Sequence, residues 1–216
     1  MDSPFHLKPD HASGSIPKRS ICGVDEAGRG CLAGPIYAAA VVLDPNHPIE
    51  GLADSKALGP GRRFVLEQEI KRSALAYGIA FASVDEIDGR GIEWANRIAF
   101  TRSIRDLLRR FPSVDPEGLS VVIDGNRRAI RLGLRQETLI GGDRSEPAIS
   151  AASILAKTAR DRYAVEVMHR RFPQYGFDRH KGYATAFHIE QIAKWGPSPI
   201  HRMSFNVRLQ PKEGAT

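Results

Sequence analysis

Two adjacent acids, Asp25 and Glu26, close a short apolar run at residues 21–25. A third, Asp124, closes another at 120–124, and a fourth, Asp143, follows Gly141 and Gly142 in a turn. Strand ends beside turns are where α/β folds place chemistry. If the two runs are neighbouring strands, their carboxylates converge, and convergence is costly. Two carboxylates about 4 Å apart repel by about 4 kcal/mol at an effective dielectric near 20. A cluster of three or four therefore needs protons or divalent cations. Oxygen donors without matching His or Cys point to magnesium or manganese and away from structural zinc. Such a cluster suits two ions about 3.5–4 Å apart, one activating water and one stabilising the leaving oxygen of a phosphodiester. The plainer alternative is that each acid is a solvated loop residue or helix cap. An adjacent pair with two further acids ending other elements weakens that alternative.

Around these acids stand other residues able to meet a phosphate or a sugar. Gly28-Arg29-Gly30 is a glycine turn whose backbone can approach a ligand closely, with Arg29 available for phosphate. Residues 28–33 formally fit the dinucleotide fingerprint G-x-G-x-x-G/A, yet that motif must open a helix, and Gly34-Pro35 and a strand follow here instead. Asp25 and Glu26 would also repel a pyrophosphate, so a nicotinamide or flavin enzyme is excluded. Lys56, in Asp54-Ser55-Lys56, either meets a phosphate or is solvated. Residues 175–183 (YGFDRHKGY) mix basic and aromatic side chains, the mixture that follows a nucleic-acid backbone.

Nucleophile chemistry finds little support. No Gly-x-Ser-x-Gly elbow is present. Ser150 and Ser153 sit among alanines at helical spacing and read as hydroxyls bonded to their own helix backbone. The seven histidines lack ligand spacing, and His169 and His188 read as helix-surface residues. Cys22 and Cys31 read as small core or site-wall residues, since two thiols with this spacing make neither a disulfide framework nor a redox motif.

The elements that must position these groups follow from periodicity. Residues 21–25, 35–43, 75–84 and 120–124 read as strands. Residues 61–74, 91–111, 147 to about 171, and 184–195 read as helices. Ile92, Ala95, Ile98, Ala99, Leu107, Leu108 and Phe111 trace the clearest helical stripe. On the first helix Phe64, Val65, Ile70 and Ala74 fall near the same spacing, and on the third Ala152, Ala156, Ala159, Tyr163 and Val167 share a face. This order predicts an α/β fold with a mixed β-sheet flanked by helices. A net charge of +6 over 216 residues hints weakly at a polyanionic partner. Residues 1–20 and 208–216 read as flexible tails around one catalytic domain at 21–207. With no signal-peptide core and no run of about 18 apolar residues, the expected location is the cytoplasm, away from membranes.

With CGVDEAGRG at 22–30, LAGP at 32–35, DSK at 54–56, VIDGN at 122–126, ISAASILAKTARDR at 149–162, YGFDRHKGY at 175–183 and HRMSF at 201–205, the chain resembles the ribonuclease HII family from about residue 21 to 207. The resemblance implies a ribonuclease H-like fold with a small helical C-terminal part. It implies cleavage of RNA in RNA–DNA hybrids and incision 5′ of single ribonucleotides in duplex DNA, as in ribonucleotide excision repair, leaving 3′-hydroxyl and 5′-phosphate ends. The resemblance makes Asp25, Glu26, Asp124 and Asp143 the catalytic metal ligands for Mn2+ or Mg2+, two ions with substrate bound. Gly28, Arg29 and Gly30 become the loop that senses the ribose 2′-hydroxyl, and Tyr183 the ring that packs on the following deoxyribose. Lys56 and Arg144 are further substrate contacts. The implied partners are RNA–DNA hybrid and ribonucleotide-containing DNA duplex, met by a monomer.

Three positions depart from the family pattern. Cys31 stands where proline is common, Arg144 where lysine is usual, and HRMSF is not soon followed by proline. The rival readings are a ribonuclease HIII-like enzyme that prefers hybrid tracts and a nucleic-acid-binding protein without catalysis. The four acids argue against the second.

Overall fold

The structure, a computed structural model, describes residues 20–52 and 58–205. Lys56 and nearly all of the two expected tails therefore lie outside the described residues. Ser20, expected in the first tail, instead opens strand β1 (Ser20–Ala27). Then follow β2 (Ile36–Val42), helix α1 (Pro60–Ser73), β3 (Ala76–Ala82), α2 (Val84–Arg90), α3 (Ile92–Arg110), β4 (Leu119–Asp124) and β5 (Gln136–Leu139). After a 3-10 turn at Gly142–Arg144 come α4 (Pro147–Tyr163), the short α5 (Phe177–His180) and α6 (Ala186–Trp195).

The five strands form one mixed sheet in the order β3-β2-β1-β4-β5. β1, β2 and β3 are antiparallel neighbours, while β4 lies parallel to β1 and β5 parallel to β4. The alternating burial of β4 and the nearly continuous burial of β1 and β2 explain why these runs were legible as strands.

Helix α4 packs on β1 and β2, and α3 packs on β2 and β3. Glycine makes both contacts close. A Cβ on Gly23 would stand 2.1 Å from the Ala148 carbonyl carbon, and one on Gly78 would stand 2.2 Å from the Ser103 carbonyl oxygen. The register pairs Gly23 with Val41 and Val41 with Tyr77, so Gly78 points to the opposite face. The sheet is thus covered on both sides.

Several expectations need correcting. Phe64 is 57% exposed and Val65 is also exposed; Leu66 and Ile70 carry the buried side of α1. Val167 is 44% exposed, whereas Ala164 and Met168 are buried. A π-turn over Ala164–His169 widens the helix there and rotates the later positions off the predicted face. Helix α2 was not foreseen, although its start is a capping box: Ser83 accepts from the Glu86 N–H while Glu86 accepts from the Ser83 N–H. Strand β5 was also missed; it is short, polar and largely exposed.

Gly23→Ala should destabilise the fold by about 2–4 kcal/mol, because helix backbone blocks the added methyl and cannot yield as a side chain would. Urea unfolding of the variant beside the native protein measures this; a change under 0.5 kcal/mol would show that α4 moves away freely.

Candidate active site

Parallel pairing fixes the centre of the site. Val24 lies opposite Ile123, which sets Asp25 beside Asp124 at the adjoining strand ends. These two and Glu26 line a cleft of about 390 Å³, together with Gly28, Arg29, Gly30, Arg63, Ser153, Lys157 and Tyr183. The expectation of convergence is met for three of the four acids. Asp143 is wholly buried and does not line the cleft, but its neighbour Gly142 donates its N–H to Asp124 Oδ1 at 2.8 Å. Arg144, in the same turn, is exposed and away from the cleft lining.

Crowding shows in the protonation of the acids. Burial, then the charges of Glu26 and Asp124, raise the Asp25 carboxyl well above the usual carboxylate range, against the Ser153 hydroxyl and the Glu26 N–H bonded to it. Glu26 is raised as well, chiefly by burial and further by Asp124 and Glu93; the Asn96 amide and Arg29 oppose this. Among the described residues no three His, Cys, Asp or Glu side chains are grouped so that they hold a metal ion as they stand. The fit to a cation is one of donor chemistry. Hard oxygen donors that favour protonation when bare are discharged equally well by a divalent cation.

The serines and one histidine depart from expectation. Ser153 holds Asp25, and Ser150 Oγ donates to the Asp143 carbonyl oxygen, so neither hydroxyl serves its own helix. His188 is fully buried instead of lying on the helix surface. Both thiols are buried; burial pushes Cys22 up to about 12 and raises Cys31, which leaves them inert at neutral pH.

The glycine loop is held by two buried arginines that sequence reasoning missed. Gly28 has φ +92°, and a Cβ there would overlap Arg160 Nε at 1.9 Å. Arg160 donates to the carbonyls of Ala33 and Lys181 at 3.2 and 2.7 Å. Arg202 donates to the carbonyls of Gly28, Arg29 and Gly34 at 2.8, 2.9 and 2.9 Å. Burial pushes Arg202 down to about 10, so it stays charged at neutral pH. Gly30 is open to solvent with no heavy atom near its would-be Cβ. Arg29 pairs with Glu93, which also accepts from Arg127 Nε at 2.9 Å. Beside the loop Tyr183 is 38% exposed, bonded through its hydroxyl to Cys31, with Lys157 Nζ 5.0 Å and Arg160 Cζ 5.5 Å from its ring centroid. The signal for Arg160, Lys157 and Ser153 was their helical spacing in residues 149–162, and for Arg202 its place in HRMSF.

The site is thus a cleft at the end of a mixed sheet flanked by helices, with acids at the central strand ends and basic groups beside them. Residues 22–208 match the family described as Ribonuclease HII. A curated Ribonuclease HII of Bordetella avium is 51% identical over 191 residues, covering 88% of this chain and 90% of the relative. Among solved structures, the PCNA:RNase HII complex from Archaeoglobus fulgidus contains a chain with TM-score 0.71 at 27% identity, covering 89% of this chain and 98% of that one. Bst-RNase HIII in complex with Mn2+ shares the fold at TM-score 0.69 and 20% identity, covering 94% of this chain and 72% of that one. The chain belongs to the ribonuclease HII family, whose members are metal-dependent endonucleases that cleave RNA in RNA–DNA hybrids. Among the described residues no helix is long and apolar enough to cross a membrane.

Arg202→Lys should cost about 2–4 kcal/mol, since an ammonium reaches fewer of the three carbonyls and each one left bare costs about 1–3 kcal/mol. Denaturant unfolding checks this, and an unchanged midpoint would mean the loop holds itself.

Proposed function

We propose that this chain cleaves RNA in RNA–DNA hybrids and incises 5′ of single ribonucleotides in duplex DNA, leaving 3′-hydroxyl and 5′-phosphate ends. The observation that carries the reading is the pairing of Asp25 with Asp124 in a cleft walled by the glycine loop and Tyr183. Asp25, Glu26 and Asp124, with Asp143 through the turn it shares with Gly142, are the groups that would hold two Mg2+ or Mn2+ ions. Bound there, such ions supply an activated water and neutralise charge on the departing 3′-oxygen.

The chain's own groups supply aim and discrimination. Ser153, Asn96 and the Gly142 N–H orient Asp25, Glu26 and Asp124, so the carboxylates enter the reaction already positioned. Gly28, Arg29 and Gly30 would meet the ribose 2′-hydroxyl, the group that separates RNA from DNA, through the exposed backbone at Arg29 and Gly30. Arg202 takes the Arg29 carbonyl and fixes the loop's direction. Tyr183 presents a ring to the following sugar, where an extra hydroxyl would meet its face. Lys157 and Arg63 give the cleft positive charge for the phosphate backbone. Lys56 and Arg144 are assigned to the flanking backbone. On this reading the enzyme acts as a monomer.

Asp124→Asn should lower cleavage by about 10²–10³-fold or more. The fold should survive, because an amide oxygen can still accept from the Gly142 N–H. Metal-dependent incision of a duplex with one ribonucleotide, run beside a thermal melt, tests this; native-level activity would remove Asp124 from the chemistry. Tyr183→Ala should lose about tenfold more on that substrate than on a continuous hybrid, the scale of one aromatic contact. Equal losses on both substrates would argue for a merely structural ring.

A further inference from the structure

Behind Tyr183 lies a line of buried hydrogen bonds whose direction is fixed at one end. The Ser198 N–H can only donate, and it meets His201 Nδ1 at 2.9 Å. His201 Nδ1 is therefore an acceptor, and the proton of that neutral ring sits on Nε2. His201 Nε2 faces His188 Nε2 at 3.1 Å, so His188 must accept there and carry its own proton on Nδ1. His188 Nδ1 lies 2.9 Å from the Tyr183 carbonyl oxygen, which can only accept. Donation thus runs in one direction, from Ser198 through both rings to Tyr183.

His180, stacked on His188 at 4.2 Å, stands outside this line. Its Nδ1 accepts from the Gly182 N–H, and its Nε2 meets the Tyr175 carbonyl. With both Nδ1 atoms of the relay also engaged, only two nitrogens remain, too few for a structural metal site. Protonating either relay ring would set two Nε2–H groups, or an N–H and the Ser198 N–H, against each other. Burial and the neighbouring imidazoles hold His188 at about 4, and burial with His180 holds His201 at about 4, so both are neutral at physiological pH. The charged groups beyond them, Asp178 and Lys181, act on His180.

We infer that His188 and His201 are positioning residues for Tyr183: a one-way imidazole relay anchored on the Ser198 N–H holds the Tyr183 backbone and thereby aims its ring at the sugar following the ribonucleotide. The inference rests on the reading of Tyr183 given above. It explains why two histidines occupy a fully buried place where apolar residues would pack at lower cost. Apolar side chains there would leave the Tyr183 carbonyl with the Thr185 N–H, at 2.8 Å, and without the second bond that ties it to the buried rings.

Two measurements decide it. Imidazole nitrogen NMR on the free protein at neutral pH should find His201 as the Nε2–H tautomer and His188 as the Nδ1–H tautomer; the other tautomer at His188 overturns the relay. His188→Leu and His188→Asn are then compared, with the Tyr183 ring resonances and cleavage of both substrates as readouts. Leu should move the Tyr183 signals and cost about tenfold more on the single-ribonucleotide duplex than on the hybrid, as expected for losing one aromatic contact. Asn, whose amide N–H stands where Nδ1–H stood, should restore both. Unmoved signals with an unchanged substrate ratio in a folded Leu variant overturn the proposal, as does an Asn variant no better than Leu. If Leu does not fold, the tautomers and the Asn variant's native-like Tyr183 signals still decide. Should Tyr183→Ala lower both substrates equally while His188→Leu still moves the ring, the reading of Tyr183 fails and the relay stands.

Discussion

Parallel pairing of β1 with β4 forces Asp25 and Asp124 into neighbouring positions, and Glu26 follows Asp25 directly. Nothing in the packing of a sheet requires three acids there; an apolar end would be more stable without cations. The surrounding groups read as answers to that crowding. Ser153 and the Glu26 N–H bond Asp25, Asn96 bonds Glu26, and the Gly142 N–H bonds Asp124. The bonds to Asp25 and Glu26 favour their ionised forms, yet burial and the neighbouring acids still raise both. The acids are thus oriented by hydrogen bonds while burial and repulsion still oppose their charge, which supports the proposal that divalent cations neutralise them.

The cleft walls solve the opposite problem with the opposite charge. Arg160 and Arg202 are almost completely buried, and neither forms a salt bridge among the described residues. Their guanidinium N–H groups end on five backbone carbonyls, drawn from the glycine loop, residues 33–34 and Lys181. Charge-assisted bonds to carbonyls offset part of the desolvation and fix the loop, without placing further carboxylates near the acids. Gly28 is required because its positive φ and the Arg160 side chain leave no room for a Cβ.

What could be read from the sequence was whatever carries a period or closes a strand. Asp25 and Asp124 were legible because each ends an apolar run, and α3 because seven apolar residues repeat at three and four. Strand β5 was not, since QETL is polar and its place is set by pairing with β4 alone. The outward turn of Val167 depended on a π-turn that no spacing rule encodes. His188 looked like surface because its partners, His201 and the Tyr183 carbonyl, lie 13 and 5 residues away along the chain. Ser153 looked structural because its partner Asp25 belongs to another element. For β5, His188 and Ser153 a tertiary contact overrode a local pattern.

The two halves of the recognition wall meet in one short turn. His201 and Arg202 are adjacent, yet His201 serves the Tyr183 side while Arg202 serves the glycine loop. The turn itself is tied down at both ends. Ala33 bridges to His201 and the Arg202 N–H donates to the Leu32 carbonyl, while Asp88 accepts from the N–H groups of Met203 and Ser204 at 2.9 and 3.0 Å. Displacing this turn would shift the glycine loop and the Tyr183 ring together, the two groups proposed to meet the 2′-hydroxyl and the next sugar. On the proposed function, discrimination of ribose from deoxyribose at adjacent positions needs those two contacts in a fixed relation, because an error in either admits the wrong sugar. A single anchored turn supplies that relation more rigidly than two independent loops would, and it accounts for an HRMSF segment so far from the acids in sequence lying directly behind the cleft they line.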